Sequence, residues 1–435
     1  MRPSLAVAAL GLGSIPSALA WGAAGHEIVA TVAQIYLHPV VLSSVCDILY
    51  PGSSRSGSSP PCHLSRVATW ADKVRRQSGY GWSGTLHYVG ALDDHPSETC
   101  VFPGERGWSG RTDHNVVGAV RNVTEVVNGY LVGERDGDAA EEAMKFLIHF
   151  VGDMHMPLHL TGRERGGNGA KVTFDGRVTN LHSLWDGLLI AKSLRTIPRN
   201  YTHPFPAGTS TIEIESHLRG TIYDPYVRRL MYEGFGFGGT TNITSGRFTE
   251  ESQEWLSCPQ VQPTEQSFWG AAQTFMGLRN WLSSSPSLRG GSGDEKRWDD
   301  EALCPYAWAK ELHELNCQFP IWPRELDQPP YNHAAYSSSL IEEVDAHTHL
   351  EVDAESELVS SAAKHSLSGR PRPHPDLLEL DTPEYTGRLQ EEWLVERLMA
   401  MAGARLAGIL NGLFLEGEEL ELAATSLPVI PRTGY

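Results

Sequence analysis

His149-Phe-Val-Gly-Asp153-Met-His-Met-Pro157-Leu-His159 joins a helical pair of metal-type ligands to the turn that follows it. His149 and Asp153 stand four residues apart, which places both on one face of a helix. Pro157 predicts the end of that helix, so His159 falls on the turn beyond it, swung back toward the same face. His155, offset by six from His149, is expected to point away and to tolerate substitution. A second pair with the same spacing lies in Leu181-His182-Ser-Leu-Trp-Asp186. Imidazole and carboxylate are donors that zinc prefers, and two such claws point to a multinuclear zinc hydrolase.

Further candidate ligands lie upstream. Arg2, the apolar run from Leu5 to Leu12 and Ala18-Leu-Ala20 read as a secretory signal peptide over residues 1–20, cleaved before Trp21. The new terminal amine and the carbonyl of Trp21 can close a five-membered chelate on a metal once the amine, of pKa roughly 8, has lost its proton. His26 follows one helical turn later, Asp72 sits in Thr69-Trp-Ala-Asp72-Lys-Val-Arg75, and His87 precedes Tyr88. With His149, Asp153, His159, His182 and Asp186 the census reaches eight side chains and one terminus.

Composition fits an exported globular enzyme. The chain has 435 residues, 40% of them hydrophobic, enough for a sizeable core. After the leader no apolar stretch approaches the ~20 residues of a membrane span, so no stable membrane association is expected. Sequons at Asn122, Asn200 and Asn242 predict N-glycans. Six cysteines without CxxC spacing predict disulfides rather than thiolate metal sites, Cys46 with Cys62 being one plausible pair. The formal charge of −18 argues against a protein that grips nucleic acid by a general basic field. A nucleic-acid hydrolase stays open, because bound dications supply positive charge where a phosphate would sit.

The hydrophobic pattern is mainly helical. Apolar residues recur at spacings of 3 to 4 over Gly25–Leu37, Asp138–Met154, Leu181–Leu194, Gln266–Leu282 and Gln390–Leu415. Strand-like signals are confined to Thr85–Val89 and to Ala170–Phe174, the latter followed by the hairpin turn Asp175-Gly176. The expected architecture is a mainly α single domain over 21–415 with a small β-hairpin, then a tail over 416–435. Polar, aperiodic stretches at 51–61, 283–299 and 327–375 read as loop insertions. His347-Thr-His349 lies in the last of these and reads as a solvated pair.

The order of these motifs resembles the S1/P1 nucleases, zinc-dependent secreted single-strand nucleases of fungi and plants with the phospholipase C/P1 nuclease fold. The resemblance is carried by Trp21-Gly-x-x-Gly-His26, Thr69-Trp-Ala-Asp72, His87 with its following aromatic, and His149-x-x-x-Asp153-x-His-x-Pro-Leu-His159. Gly166-Gly167-Asn168-Gly, Asn180-Leu-His182-x-x-Trp-Asp186 and Ala402-Gly-Ala-Arg-Leu-Ala407 extend it.

The resemblance implies three Zn2+ ions. One would be held by Asp72, His87, His149 and Asp153, a second by Trp21, His26 and a shared Asp153, and a third by His159, His182 and Asp186. It implies that Asp72 orients an attacking water activated between two of the metals, that Arg75 neutralises a phosphate oxygen, and that the product carries a 5′ phosphate. Tyr88 would be the platform for a base, with Gly166, Gly167 and Asn168 as the facing wall. Leu188 stands where family members commonly carry a base-reading asparagine.

The expected function is hydrolysis of single-stranded DNA and RNA by a secreted monomer, with 3′-phosphomonoesters of nucleotides as further substrates. Two other readings stay open: a zinc-dependent phospholipase C-like hydrolase, and a non-catalytic secreted zinc-binding protein.

Overall fold

The computed structural model describes residues 21–51, 62–102, 114–205, 214–237, 246–258, 299–300, 303–331 and 377–424. Helix α5 (Gly137–Met154) runs through the centre of the fold, capped by Asp136, whose carboxylate accepts the Ala139 amide at 2.8 Å. Every residue from Phe146 to Met154 is buried. That nine-residue stretch includes His149 and Asp153, so the claw is an interior feature rather than a surface patch.

Helix α4 (Val116–Leu131) packs along α5 and is capped by Asn115, which accepts the Val117 and Gly118 amides. Its valine-rich sequence has weak intrinsic helix propensity. Packing of the buried Val116, Val120, Val123 and Val127 stripe onto the core overrides that weakness. Helix α1 (Gly22–Ile35) lies against α9 (Leu394–Phe414), and the two approach so closely that a Cβ on Gly403 would meet Val32 Cγ1 at 2.5 Å. Only glycine permits that crossing.

The expected helices are present among the described residues with shifted ends. Helix α1 starts at Gly22 and stops at Ile35, before the extended His38 that precedes Pro39. The helix expected from Gln390 is interrupted by Trp393, held left-handed at φ 52°, and restarts at Leu394. Residues 266–282 lie outside the described set, as do residues 1–20, nearly all of each expected insertion, His347, His349 and Asn242. Part of the tail, Gly417–Ala423, is helical. Helices α2 (Pro39–Leu49), α3 (Trp70–Val74), α4, α7 (Asp224–Arg229) and α8 (Pro305–Gln318) add to those expected, α2, α7 and α8 with proline in the first turn.

Thr85–Val89 is not a strand. Gly81–His87 forms a 3-10 helix, and only Tyr88 beyond it is extended. The 3-10 helix packs against both α4 and α5, and burial there places His87 and Val89 inside with Tyr88 outside. The expected hairpin does form: β1 (Lys171–Phe174) pairs antiparallel with β2 (Arg177–Asn180), Val172 opposite Thr179. Asp175 and Gly176 both have positive φ, as a two-residue hairpin turn requires.

The hairpin feeds α6, spanning 181–195, whose start is capped by Asn180 accepting the Ser183 amide at 2.7 Å. Within α6 the segment Leu184–Leu188 is a π-turn, an irregularity frequent at functional sites. Three disulfides, Cys46–Cys62, Cys100–Cys317 and Cys258–Cys304, tie loops to this frame.

Candidate metal centre

Asp153 is the hub. Its Oδ2 lies 2.8 Å from His87 Nδ1 and 3.2 Å from His149 Nε2, while its Oδ1 lies 3.3 Å from His26 Nε2. The two oxygens of one carboxylate therefore face two different sets of imidazoles. Asp72 Oδ1 stands 3.7 Å from His149 Nε2 and 3.9 Å from His87 Nδ1. On the far side His159 Nδ1 is 3.5 Å from Asp153 Oδ1, and His182 Nε2 is 3.0 Å from Asp186 Oδ2.

Three groups whose ligand atoms lie within 4.8 Å of one another result: His26 with His149 and Asp153, Asp72 with His87 and His149, and His159 with His182 and Asp186. Asp94, Cys100 and His313 form a fourth such group, but Cys100 is bonded to Cys317 and offers no thiolate. There Asp94 accepts from His313 Nε2 and from Thr161 Oγ1, a buried polar lock.

Each imidazole is aimed by what its other nitrogen does. His149 Nδ1 donates to the Ala68 carbonyl at 2.6 Å, His159 Nδ1 to that of His87 at 2.8 Å, and His182 Nδ1 to that of Gly166 at 2.7 Å. That turns Nε2 of all three into the site, the outer arrangement that metal-binding histidines ordinarily have. His26 is stacked on His149 with ring centres 3.8 Å apart. Gly152 makes room for it, since a Cβ there would meet His26 Nδ1 at 2.7 Å.

The donor set fits zinc by count of orphaned atoms and by spacing. Both His26 nitrogens, both Asp72 oxygens, Asp153 Oδ1, His159 Nε2 and Asp186 Oδ1 are buried without a hydrogen-bond partner. Leaving such atoms unsatisfied costs about 1–3 kcal/mol apiece, a penalty that a shared cation removes at once. Two ligands on a tetrahedral zinc at ~2.1 Å stand roughly 3.3–3.5 Å apart. The distances above, from 2.8 to 3.9 Å, bracket that value.

Burial lowers the basicity of these histidines and the carboxylates restore it unevenly. Burial opposes a proton on His149, but Asp153 and Asp72 outweigh it and raise its pKa to about 9. For His87 burial wins over Asp153, and the pKa falls to about 4. Asp153, despite a burial penalty that favours its neutral form, is held well below the usual carboxylate range by His149 and His159. The metal-free site thus keeps a proton on His149 between two carboxylates, where an ion would displace it.

The other expected site residues are placed as follows. Arg75 Nε lies 3.5 Å from Asp72 Oδ1, with the side chain 14% exposed. Tyr88 is 44% exposed beside His87. Gly166 and Gly167 are buried, and a Cβ on Gly166 would strike the Leu158 carbonyl at 2.5 Å; Asn168 donates to the Arg165 carbonyl. Leu188 is half-buried against the core. Trp21 is wholly buried at the head of α1, its carbonyl 3.3 Å from the His26 amide.

One expectation is corrected. His155 does point away from the claw, but it is not dispensable. Its Nδ1 donates to Val151 O at 2.7 Å and its Nε2 meets Arg405 Nη1 at 3.1 Å. Arg405 is buried in α9, stacked on Trp308 and donating through Nε to the Trp255 carbonyl. An arginine inside the otherwise apolar run from Leu398 to Leu410 is the sequence signal for this anchor.

The S1/P1 Nuclease family model matches residues 21–231. The chain is 40% identical over 238 residues to Nuclease PA3 of Penicillium sp, covering 54% of this chain and 72% of that protein. It is 40% identical over 168 residues to Nuclease P1 of Penicillium citrinum, 38% of this chain and 57% of the relative. Endonuclease 2 of Arabidopsis thaliana is 33% identical over 181 residues, covering 40% of this chain and 58% of the relative. Matched over a claw whose imidazoles and carboxylates converge as described, the chain belongs to the S1/P1 nuclease family.

Proposed function

We propose that the chain is a secreted zinc-dependent endonuclease that hydrolyses phosphodiester bonds of single-stranded DNA and RNA and leaves 5′ phosphates, with 3′-phosphomonoesters as further substrates. The reading rests on one observation above all: buried imidazole and carboxylate atoms, several of them without a hydrogen-bond partner, gather in three groups from well-separated segments of chain. Asp72, His87, His149 and Asp153 would hold one zinc, His26, Asp153 and the processed Trp21 terminus a second, and His159, His182 and Asp186 a third. When bound, such ions supply Lewis acidity, lowering the pKa of water toward about 7 and offsetting phosphate charge.

The protein groups divide the remaining work. Asp72 orients the attacking water and takes its proton on a carboxylate oxygen, both of which are free of hydrogen bonds. Its pKa is depressed against burial by His149, His87 and Arg75, so it stays ionised. Arg75, next to Asp72 at the mouth, pairs with a non-bridging phosphate oxygen. Tyr88 offers its exposed ring to a base, opposite the turn of Gly166, Gly167 and Asn168.

The leader over 1–20 takes the chain into the secretory pathway as a monomer. Asn122 and Asn200, both exposed, and Asn242 carry its N-glycans. No helix of the described residues is long and apolar enough to cross a membrane.

The test uses the processed chain beginning at Trp21. Metal content by mass spectrometry is expected near three zincs, with chelator-sensitive release of 5′-mononucleotides from single-stranded DNA. Three zincs with turnover of lecithin instead would move the chain to phospholipase chemistry. Three zincs with neither activity would leave a binding protein, and absence of zinc would overturn the reading.

A further inference from the structure

Four consecutive residues, Glu164, Arg165, Gly166 and Gly167, have positive φ, at 47°, 55°, 65° and 85°. Glycine adopts that backbone freely, whereas Glu164 and Arg165 carry a Cβ and resist it. A left-handed run of this kind persists only where its surroundings impose it. The run delivers the Gly166 carbonyl to His182 Nδ1 at 2.7 Å, while Nε2 of the same ring faces Asp186 Oδ2 at 3.0 Å. The aim of one candidate zinc ligand thus depends on a strained turn.

What imposes the turn lies at its start. Glu164 and Arg165 are exposed, so packing of their own side chains does not hold them. Arg163, directly before them, has its guanidinium in a closed ring of partners. Nη2 donates to Asp327, Nη1 donates to the Pro96 carbonyl and, at 3.2 Å, to Ser97 Oγ, and Ser97 Oγ donates in turn to Asp327. The guanidinium also stacks on Trp322 at 4.5 Å. With the Arg163 side chain 11% exposed and that of Asp327 18%, solvent screens this pair little. The backbone carries the hold forward: the Arg163 and Glu164 carbonyls accept the Gly167 and Gly169 amides at 3.1 and 2.9 Å.

Asp327 comes from a distant part of the chain. It ends the 3-10 turn Arg324–Asp327 that follows α8, and it lies beyond residue 231, where the family match stops. The Cys100–Cys317 disulfide fastens the stretch after Ser97 to the stretch before Arg324, so the two segments that receive the guanidinium are tied to each other.

We infer that Arg163 and Asp327 are a positioning pair that holds residues 164–167 left-handed and thereby aims His182 at the ion it shares with His159 and Asp186. Both act through the Gly166 carbonyl rather than on substrate. This rests on the tri-zinc reading above, and it adds that the affinity of one zinc site out of three is set by a contact from the second half of the chain.

The experiment compares processed wild type with Arg163→Gln, Asp327→Asn, His182→Ala and the Arg163→Gln/His182→Ala double variant, each as isolated. Zinc per chain is read by mass spectrometry against graded chelator, and hydrogen exchange is read over residues 162–170 and over α5. Arg163→Gln is expected to release one zinc at chelator levels that leave wild type loaded, an affinity loss on the order of tenfold, the low end for an outer partner of a metal ligand. The other two zincs stay, and exchange quickens over 162–170 but not over α5. Asp327→Asn, which keeps the shape of the side chain, shows the same pattern more weakly. In the His182→Ala background, where that ion is already lost, Arg163→Gln removes no further zinc. Parallel loss of all three zincs would mark a general structural role and overturn the pair, as would wild-type zinc retention or wild-type exchange over 162–170 in Arg163→Gln. Wild type that binds no zinc would strike the tri-zinc reading instead, while the exchange over 162–170 still decides whether Arg163 and Asp327 hold the turn.

Discussion

Replacing Gly152 by alanine separates fold from site, because its effects on stability nearly cancel while its effect on the ligands does not. Alanine in a helix interior gains about 1 kcal/mol over glycine. Against this, the new Cβ would stand 2.7 Å from His26 Nδ1 and 3.0 Å from Cε1, where contact distances of about 3.5 Å are comfortable. The overlap of roughly 0.8 Å costs about 1–3 kcal/mol if the neighbours absorb it as overpacked cores do. The net change is thus a destabilisation of about 0–2 kcal/mol, a melting shift of a few degrees.

His26, however, is fully buried, stacked on His149, and carried by a helix pressed against α9 at Gly403. It yields by turning, and Nε2 moves relative to Asp153 Oδ1. Disturbing the support of a metal ligand ordinarily costs 10- to 100-fold in affinity. The assay is zinc stoichiometry by mass spectrometry after dialysis against graded chelator, alongside single-strand turnover and thermal melting. Gly152→Ala should lose one zinc at chelator levels that leave wild type loaded, and turnover with it. Gly137→Ala, on the same helix with nothing within 4 Å of its Cβ, should keep both. Wild-type zinc and turnover in Gly152→Ala would refute the placement of His26 as a ligand.

Asp153→Asn leaves shape intact and removes the charge shared by both imidazole sets, so zinc content and activity should fall together; retention of both would dismiss Asp153 as the bridge. His155→Ala should lower stability by about 2–4 kcal/mol in denaturant titration, since it strips a partner from the buried Arg405 and opens a cavity. Its zinc content should stay at the wild-type level. Acid should weaken the fold through His63, whose pKa is lowered to about 4 by burial and then by Arg219 and Arg66, with Gln34 donating to its Nδ1. The folded state favours the neutral ring, so this contribution is complete above about pH 6.5 and is lost as pH falls toward 4. By pH 5 the loss is on the order of 1–2 kcal/mol, read as a denaturant midpoint that falls less in His63→Asn than in wild type.

The site was more legible than the frame around it. Pairs such as His149/Asp153 and His182/Asp186 are local, four residues apart on helices, and helix geometry alone puts each on one face. The hairpin was legible for the same reason, because Asp175-Gly176 demands positive φ and so fixes the register. What brings His26, Asp72 and His87 to that face is tertiary and leaves no periodic mark. Helix α4 carried the wrong propensity, and Thr85–Val89 alternated like a strand while folding as a 3-10 turn. The anchors that aim the imidazoles, the carbonyls of Ala68, His87 and Gly166, have no side-chain signature at all. Gly152 lies between two ligands in sequence and Arg405 within an apolar stretch of α9, but neither position says by itself what it does. Their tasks became readable only with their neighbours in place.

The electrostatics of the site follow from how few charges the interior contains. Asp72, Asp153 and Asp186 put three carboxylates into a volume with almost no solvent, and burying even one unpaired carboxylate is prohibitive. The protein's own cover is the Arg75 guanidinium beside Asp72 and the imidazoles of His149 and His182, whose pKa values the carboxylates raise, while burial lowers those of His87 and His159. The apo site is consequently a destabilised interior, and ions that bind there are bound to the folded state alone, contributing directly to folding. Their charge also reverses the local sign. With three zincs as proposed, three dications against three carboxylates would leave the centre positive in a chain of −18, so a polyanion would meet attraction at the centre and repulsion over most of the remaining surface. Substrate capture by such a molecule is local, which is why a strand free to bend into the site suits it better than a stiff duplex.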